Sequence, residues 1–308
     1  MTLRRAAALD IGSNTTLFLL GDVDDAGKIS VLTEAQVSNG IGEDVFLEGR
    51  LQPSTIERNL QIVENFWRLS RQQGCQNFLI AGTSALRQAA NAGELISAVM
   101  KLTGCQLRII SGEDEARLTF KGYLSGKSAI AGKIILVDIG GGSSEIILAD
   151  HKTMESSASL EIGAVRLHRL FPLFDPPNPL QIEKMSRFVD NFLRKLYPYK
   201  NIGERKVVFS GGTATCLATL KLGLLQYIAA EVDGLILSDS EIERFLQIFC
   251  NQDLKTRKKL LHFDPERAPV IIGGSVLMLK IMNFCASREC RVSHLGLRFG
   301  LLAELFEK

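Results

Sequence analysis

Residues 6–11 form an apolar run that breaks at Asp10-Ile11-Gly12-Ser13-Asn14-Thr15, and residues 16–20 are apolar again. This pattern predicts a strand, a tight turn and a returning strand. The same order recurs later: residues 133–137 lead into Asp138-Ile139-Gly140-Gly141-Gly142-Ser143-Ser144-Glu145, and residues 146–148 resume the apolar run. Asp10 and Asp138 hold equivalent places 128 residues apart. A repeat at that distance predicts duplicated domains, not a solenoid. Each half would carry one glycine-rich hairpin at a sheet edge, and halves packed face to face would aim both hairpins into one cleft.

Between the hairpins, residues 53–71 predict a helix. Pro53 suits its first turn, and Ile56, Leu60, Val63 and Trp67 recur at helical spacing opposite Glu57, Arg58, Glu64 and Arg68. Residues 78–81 read as a buried strand running into Gly82-Thr83-Ser84-Ala85-Leu86-Arg87, residues 94–102 as a helix and residues 107–110 as a strand. Ser111 then caps a helix, with Asp114 at capping-box spacing and Glu115 in the first turn. A further strand, 206–209, precedes Gly211-Gly212-Thr213-Ala214-Thr215. Alternating strands and helices predict α/β layers, with a mostly helical last third. Four prolines around Asp175 mark a loop before a helix over 180–196, and Gly122, Gly126 and Gly132 mark a hinge within 121–133.

The composition excludes disorder and fibrous classes: 46% of the 308 residues are hydrophobic and 23% are charged. Single cores stop growing near this length, so two domains are expected. A net charge of +2 gives no general attraction to nucleic acid. Six cysteines without C-x-x-C spacing read as reduced thiols in a cytoplasmic protein. No apolar stretch approaches the roughly 20 residues a bilayer requires, so no membrane partner is expected.

Glycine-rich turns let backbone N–H groups converge on a phosphate. Gly12, Ser13, Asn14 and Thr15 would form one cradle, and Gly140, Gly141, Gly142, Ser143 and Ser144 the other. Asp10 and Asp138 end buried strands, where a carboxylate needs a cation or several donors. Magnesium bridging to phosphate meets that need, and an Asx turn is the plainer alternative. Glu145 points into or away from the cleft according to how the three glycines bend, or is a surface group on an edge strand. Glu113, Asp114 and Glu115 all suit a helix N-terminus, and one of them could serve as a base. Hydrolysis of a phosphoanhydride needs a carboxylate within reach of an oriented water. Glu115 and Glu145, one from each side of the hinge and neither expected in the core, would supply it. Arg87 and Gly211-Gly212-Thr213 are further candidates for phosphate contacts, with a solvated arginine after a helix start as the plainer reading of Arg87. The run 255–259, with Arg194, Lys195, Arg205 and Lys206, either tracks a polyanion or is a solvated face.

The chain carries A-L-D-I-G-S-N-T from Ala8, G-T-S-A-L-R from Gly82, S-G-E-D-E-A-R-L from Ser111 and V-D-I-G-G-G-S-S-E from Val137. It continues with L-E-I-G-A-V-R-L from Leu160, S-G-G-T-A-T from Ser210, P-E-R-A from Pro265 and L-G-L-R-F-G from Leu295. In these blocks it resembles the exopolyphosphatase and guanosine pentaphosphate phosphohydrolase family. The resemblance implies two ribonuclease-H-like domains of the actin, sugar kinase and heat-shock chaperone superfold with a cleft between them, 1–124 plus 296–308 and 125–295. It implies release of terminal orthophosphate from inorganic polyphosphate with Mg2+. Glu115 would be the general base, Glu145 its catalytic partner and Asp138 a metal-linked acid. Asp10 and Glu145 are further candidate metal ligands. Hydrolysis of guanosine pentaphosphate at its 5′ end, a weakly active regulator that binds polyphosphate or guanosine penta- or tetraphosphate, and an ATPase of the same fold are the alternatives. A homodimer is expected, as is a C-terminal helix over 298–307 packed on the first domain. Val232-Asp233-Gly234, Pro269 and the segment Asn39-Gly40-Ile41-Gly42 depart from the family pattern.

Overall fold

The computed structural model describes residues 3–25, 27–126, 128–194 and 205–305. The chain divides into two compact units, Met1–Ala129 with Leu295–Lys308, and Ile130–His294. The first contains β1 (Arg4–Ile11), β2 (Thr15–Val23), β3 (Ile29–Ser38), α1 (Ile41–Glu48), α2 (Pro53–Gln72), β4 (Asn77–Gly82), α3 (Ser84–Gln88), α4 (Ala92–Thr103), β5 (Leu107–Ile109) and α5 (Gly112–Leu124). The second contains β6 (Lys133–Ile139), β7 (Ser144–Asp150), β8 (Thr153–Leu160), α6 (Ala164–Leu170), α7 (Pro179–Leu193), β9 (Lys206–Ser210), α8 (Gly212–Lys221) and α9 (Ala229–Val232). It continues with β10 (Ile236–Ser238), α10 (Asp239–Cys250), α11 (Leu254–Leu260), α12 (Ile271–Phe284) and β11 (Glu289–Val292), after which α13 (Leu297–Glu304) returns to the first unit. The predicted helix ends 195–196 and 306–307 lie outside the described residues.

In the first unit the strand order is β3-β2-β1-β4-β5, with β1 to β3 antiparallel and β4 and β5 parallel to β1. β1 is apolar almost throughout because both of its faces are covered. Ala7, Leu9 and Ile11 join the core that includes Val63, Leu95 and Val99 from α2 and α4. Ala6 and Ala8 meet Leu118 of α5 and Leu297, Phe299, Leu301 and Leu302 of α13 on the other face. Asp10 continues that second alternation and so lies on the α5 side.

The second unit repeats the path, in the order β8-β7-β6-β9-β11-β10. Its main core packs Ile135, Val137 and Ile139 against residues of α7, α8, α10 and α12. The 128-residue offset holds through both hairpins. Gly12 N donates to Thr15 O at 3.1 Å and Gly140 N to Ser143 O at 3.0 Å, while Asp10 pairs with Leu17 and Asp138 with Glu145.

These are two mixed α/β sheets of the ribonuclease-H-like type, as the family resemblance implied. The expected edge position of the hairpins is corrected: β3 and β8 pair outside them, so both turns join strands in the sheet interior. All six cysteines are free. Among the described residues no helix is long and apolar enough to cross a membrane.

Candidate active site

The first hairpin is held from behind by its carbonyls. Gly42 N donates to Ser13 O at 2.7 Å and Asn39 N to Asn14 O at 3.0 Å. The fully buried Asn39 also donates through Nδ2 to Gly12 O (2.7 Å) and Thr16 Oγ1 (3.2 Å). Among the described residues no protein acceptor takes the N–H groups of Ser13 and Asn14, and the buried Ser13 Oγ has no partner. A turn with its carbonyls engaged and its amides uncommitted is a site for an anion.

The second hairpin has the same polarity and a different brace. Ala164 N and Val165 N, at the start of α6, donate to Gly140 O (3.0 Å) and Gly141 O (2.9 Å), and Arg166 Nε donates to Gly142 O (2.9 Å). Gly163 makes this approach possible, since a Cβ there would lie 2.6 Å from the Gly141 backbone. Ser144 Oγ donates to Ile162 O at 2.7 Å. The amides of Gly141, Gly142 and Ser143 have no protein acceptor among the described residues.

Of the three acids at the start of α5, only Glu115 turns inward, to 7% exposure. Ser111 Oγ accepts from Asp114 N (3.0 Å) and donates to Asp114 Oδ2 (2.9 Å), which keeps Asp114 at the surface. Arg87 Nη1 donates to Glu115 Oε2 at 2.7 Å and to Ile110 O at 3.0 Å, while its buried Nη2 has no protein acceptor. An arginine against a buried carboxylate favours the ionised form, the one a base requires.

Glu145 is 1% exposed, and its Oε1 accepts from Ser159 Oγ at 2.7 Å. The expectation that Glu115 and Glu145 lie outside the core is therefore corrected. For Glu145 the reason is β8, which covers the strand and sets Ser159 directly opposite it. Asp138 Oδ1 accepts from Ser210 Oγ at 2.9 Å.

Beyond Ser210, Gly211 has φ +93°, and a Cβ there would strike Ile139 O. A Cβ on Gly212 would strike the Arg267 guanidinium. Arg267 Nε donates to Asp264 Oδ2 at 2.9 Å. Burial opposes the charge on Arg267, but Asp264 outweighs it and the pKa is raised. Thr213, fully buried, has an Oγ1 without a partner. Arg267 was not among the predicted site residues. It stands in the P-E-R-A block, 55 positions from the glycine it covers, and only the fold brings the two together. Asn39, Gly163 and Arg166 were likewise missed as organisers of the turns.

The basic run divides. Arg257, 5% exposed, donates to Phe249 O, Gln252 O and Asp175 Oδ1, and Arg205 donates to Ala149 O and Glu155 Oε2. Those two arginines serve the fold, whereas Lys255, Lys258 and Lys259 are exposed. Lys195 lies outside the described residues. The departure at Asp233 is structural: its Oδ1 accepts from His294 N at 3.2 Å.

Among the described residues no three His, Cys, Asp or Glu side chains form a metal cluster. Asp138 and Glu145, directly opposite in the β6–β7 register, supply two carboxylates on one face. Mg2+ is commonly bound through one or two carboxylates, with water and substrate phosphate completing its shell, and this donor set fits that mode.

A model of the Ppx/GppA phosphatase family matches residues 22–308. The chain belongs to this family. Exopolyphosphatase 1 of Mycobacterium tuberculosis is 26% identical over 306 residues, covering 97% of this chain and 87% of that one. Exopolyphosphatase 2 of the same organism is 28% identical over 290 residues, covering 90% of each chain. A crystal structure of the Aquifex aeolicus Ppx/GppA family member aligns over 99% of this chain and 98% of that one, with a TM-score of 0.83 and 28% identity.

Proposed function

We propose that this Ppx/GppA family member is a Mg2+-dependent exopolyphosphatase that releases orthophosphate from the end of inorganic polyphosphate. The observation that carries the reading is the pair of hairpin turns, each with uncommitted amides beside a strand-terminal aspartate. Glycine-rich amide cradles suit phosphate oxygens, which are strong acceptors in every direction. The Arg87 Nη2 donor and the first-turn amides of α8 add further contacts.

In this reading Glu115 accepts a proton from water as the water oxygen bonds to the terminal phosphorus. The anhydride P–O bond breaks, and the shortened chain leaves with the bonding pair on its oxygen. Arg87 keeps Glu115 ionised and oriented. Glu145 and Asp138 would hold the divalent cation, which would neutralise charge on the phosphate oxygens. The six free cysteines suit a cytoplasmic setting.

The test is phosphate release with Mg2+ from polyphosphates of several lengths, guanosine pentaphosphate and ATP. Fastest release from polyphosphate is expected. Preferential turnover of guanosine pentaphosphate would replace the substrate, and binding without turnover would replace catalysis by a regulatory role.

A further inference from the structure

We propose that a hollow in the first unit, separate from the candidate active site, binds a small planar aromatic anion. It measures about 370 Å³ and lies between the last turns of α2, the start of β4 and the segment joining α4 to β5. These are the N-terminal ends of parallel strands, whereas Gly82 and the start of α5 lie at the C-terminal ends. The volume falls within the range of small-molecule sites.

Trp67 and Phe78 supply two aromatic walls. The polar lining is uneven in a telling way. Ser70 Oγ donates to Phe66 O at 2.7 Å and Thr103 Oγ1 to Val99 O at 2.8 Å, so both hydroxyls serve their own helices. By contrast, the Trp67 indole N–H, the Arg71 guanidinium and the Gln76 side-chain amide make no hydrogen bond or ion pair with any described residue. No carboxylate lines the hollow.

Two rings, three uncommitted donors and one unopposed positive charge therefore share one concavity. A flat ring would stack on the aromatic walls, and an attached carboxylate, sulfonate or phosphate would take Arg71 and Gln76. Arg71 in the last turn of α2 is favourable to the helix dipole without any ligand. The dipole does not explain an indole and a phenyl ring left lining an open hollow.

The probe is 8-anilinonaphthalene-1-sulfonate, with energy transfer from Trp67, the one tryptophan of the chain. Saturable transfer is expected, and Arg71→Ala should weaken the dye about fivefold, a partly screened charge-assisted contact. Uncharged N-phenyl-1-naphthylamine should not distinguish the two proteins. Saturating tripolyphosphate should leave transfer unchanged, and bound dye should slow iodoacetamide labelling of Cys105, which lines the same hollow. Unsaturable transfer, equal dye affinity in Arg71→Ala, or displacement by tripolyphosphate would overturn the proposal. None of these readouts depends on phosphate release, so the test is independent of the proposed activity.

Discussion

Asp138 stands directly opposite Glu145 across β6 and β7, whereas Asp10, its counterpart in the first hairpin, faces Leu17. The two hairpins share their backbone pairing, and of the two only the second sets carboxylates opposite one another. Divalent cation binding should follow that asymmetry. Mg2+ should raise the melting temperature of the wild type, and Asp138→Asn or Glu145→Gln should remove most of that rise. Asp10→Asn should retain more of it. Glu145→Gln should also lower kcat by about a hundredfold or more, with an unchanged circular dichroism spectrum because Gln still accepts from Ser159. A full Mg2+ shift in both second-unit variants would remove the metal assignment.

The pairing of Arg87 with Glu115 also predicts an effect on turnover. Loss of the guanidinium removes the charge-assisted donor that orients the Glu115 carboxylate. Arg87→Ala should therefore lower kcat more than it raises KM, with Arg87→Lys between it and the wild type. Glu115→Gln should lose most turnover, and a wild-type kcat in Arg87→Ala would detach the pair from the base role.

The pattern of apolar positions showed most of what lies inside the sheets. β1, β2, β4, β6, β7 and β9 are short apolar runs bounded by glycine or polar turns, and α2 shows helical spacing. The outer strands were hidden for a physical reason. β8 reads Thr-Met-Glu-Ser-Ser-Ala-Ser-Leu and β3 is half solvent-facing, so neither has a clean apolar period. Failure to see them is what placed the hairpins at sheet edges and left Glu145 outside the core. The acids at the head of α5 were legible as a group, but choosing Glu115 from residues alone required the rotation of the helix about its axis. The approach of Arg267 to Gly212 joins distant segments and leaves no local signal.

Two adjacent glycines should respond differently to alanine. Gly211→Ala meets both a positive φ and the Ile139 carbonyl, so it should destabilise the fold and reduce activity together. Gly212→Ala meets the end of the Arg267 side chain, which is able to move if its bond to Asp264 breaks. It should lower kcat/KM while costing less in urea unfolding than Gly211→Ala, because a side-chain end can shift where a backbone carbonyl cannot. Equal stability losses in the two variants would contradict this account of Arg267.

Burial pushes the Cys216 and Cys290 thiols up to about 12 from 9.0. Each therefore stays neutral in the folded state while ionising in the unfolded chain above pH 9. The unfolded state then binds fewer protons, and stability should fall by about 1.4 kcal/mol per pH unit for each such thiol. Urea melts at pH 8 and pH 10 should show a smaller loss in Cys216→Ala than in the wild type. Native thiols at these two positions should also resist alkylation at neutral pH.

α13 covers α5, the helix that carries Glu115. α13 packs on α5 through glycines: a Cβ on Gly300 would enter the Leu118 carbonyl, and one on Gly122 would enter the Gly296 carbonyl. Backbone meets backbone in both places, so no side chain is able to rotate away. Gly300→Ala should therefore cost about 2 kcal/mol or more, at the upper part of the range for overpacked positions. If α13 also fixes the rotation of α5, the milder Leu301→Val should lower kcat more than KM, because Glu115 loses its setting against Arg87. Leu301 is fully buried in the same core cluster as Leu118 of α5, so an effect on kcat there would report helix position. A variant that loses stability with kcat intact would show that α5 is oriented by its own unit's sheet and by the Arg87–Glu115 pair without help from the returning helix.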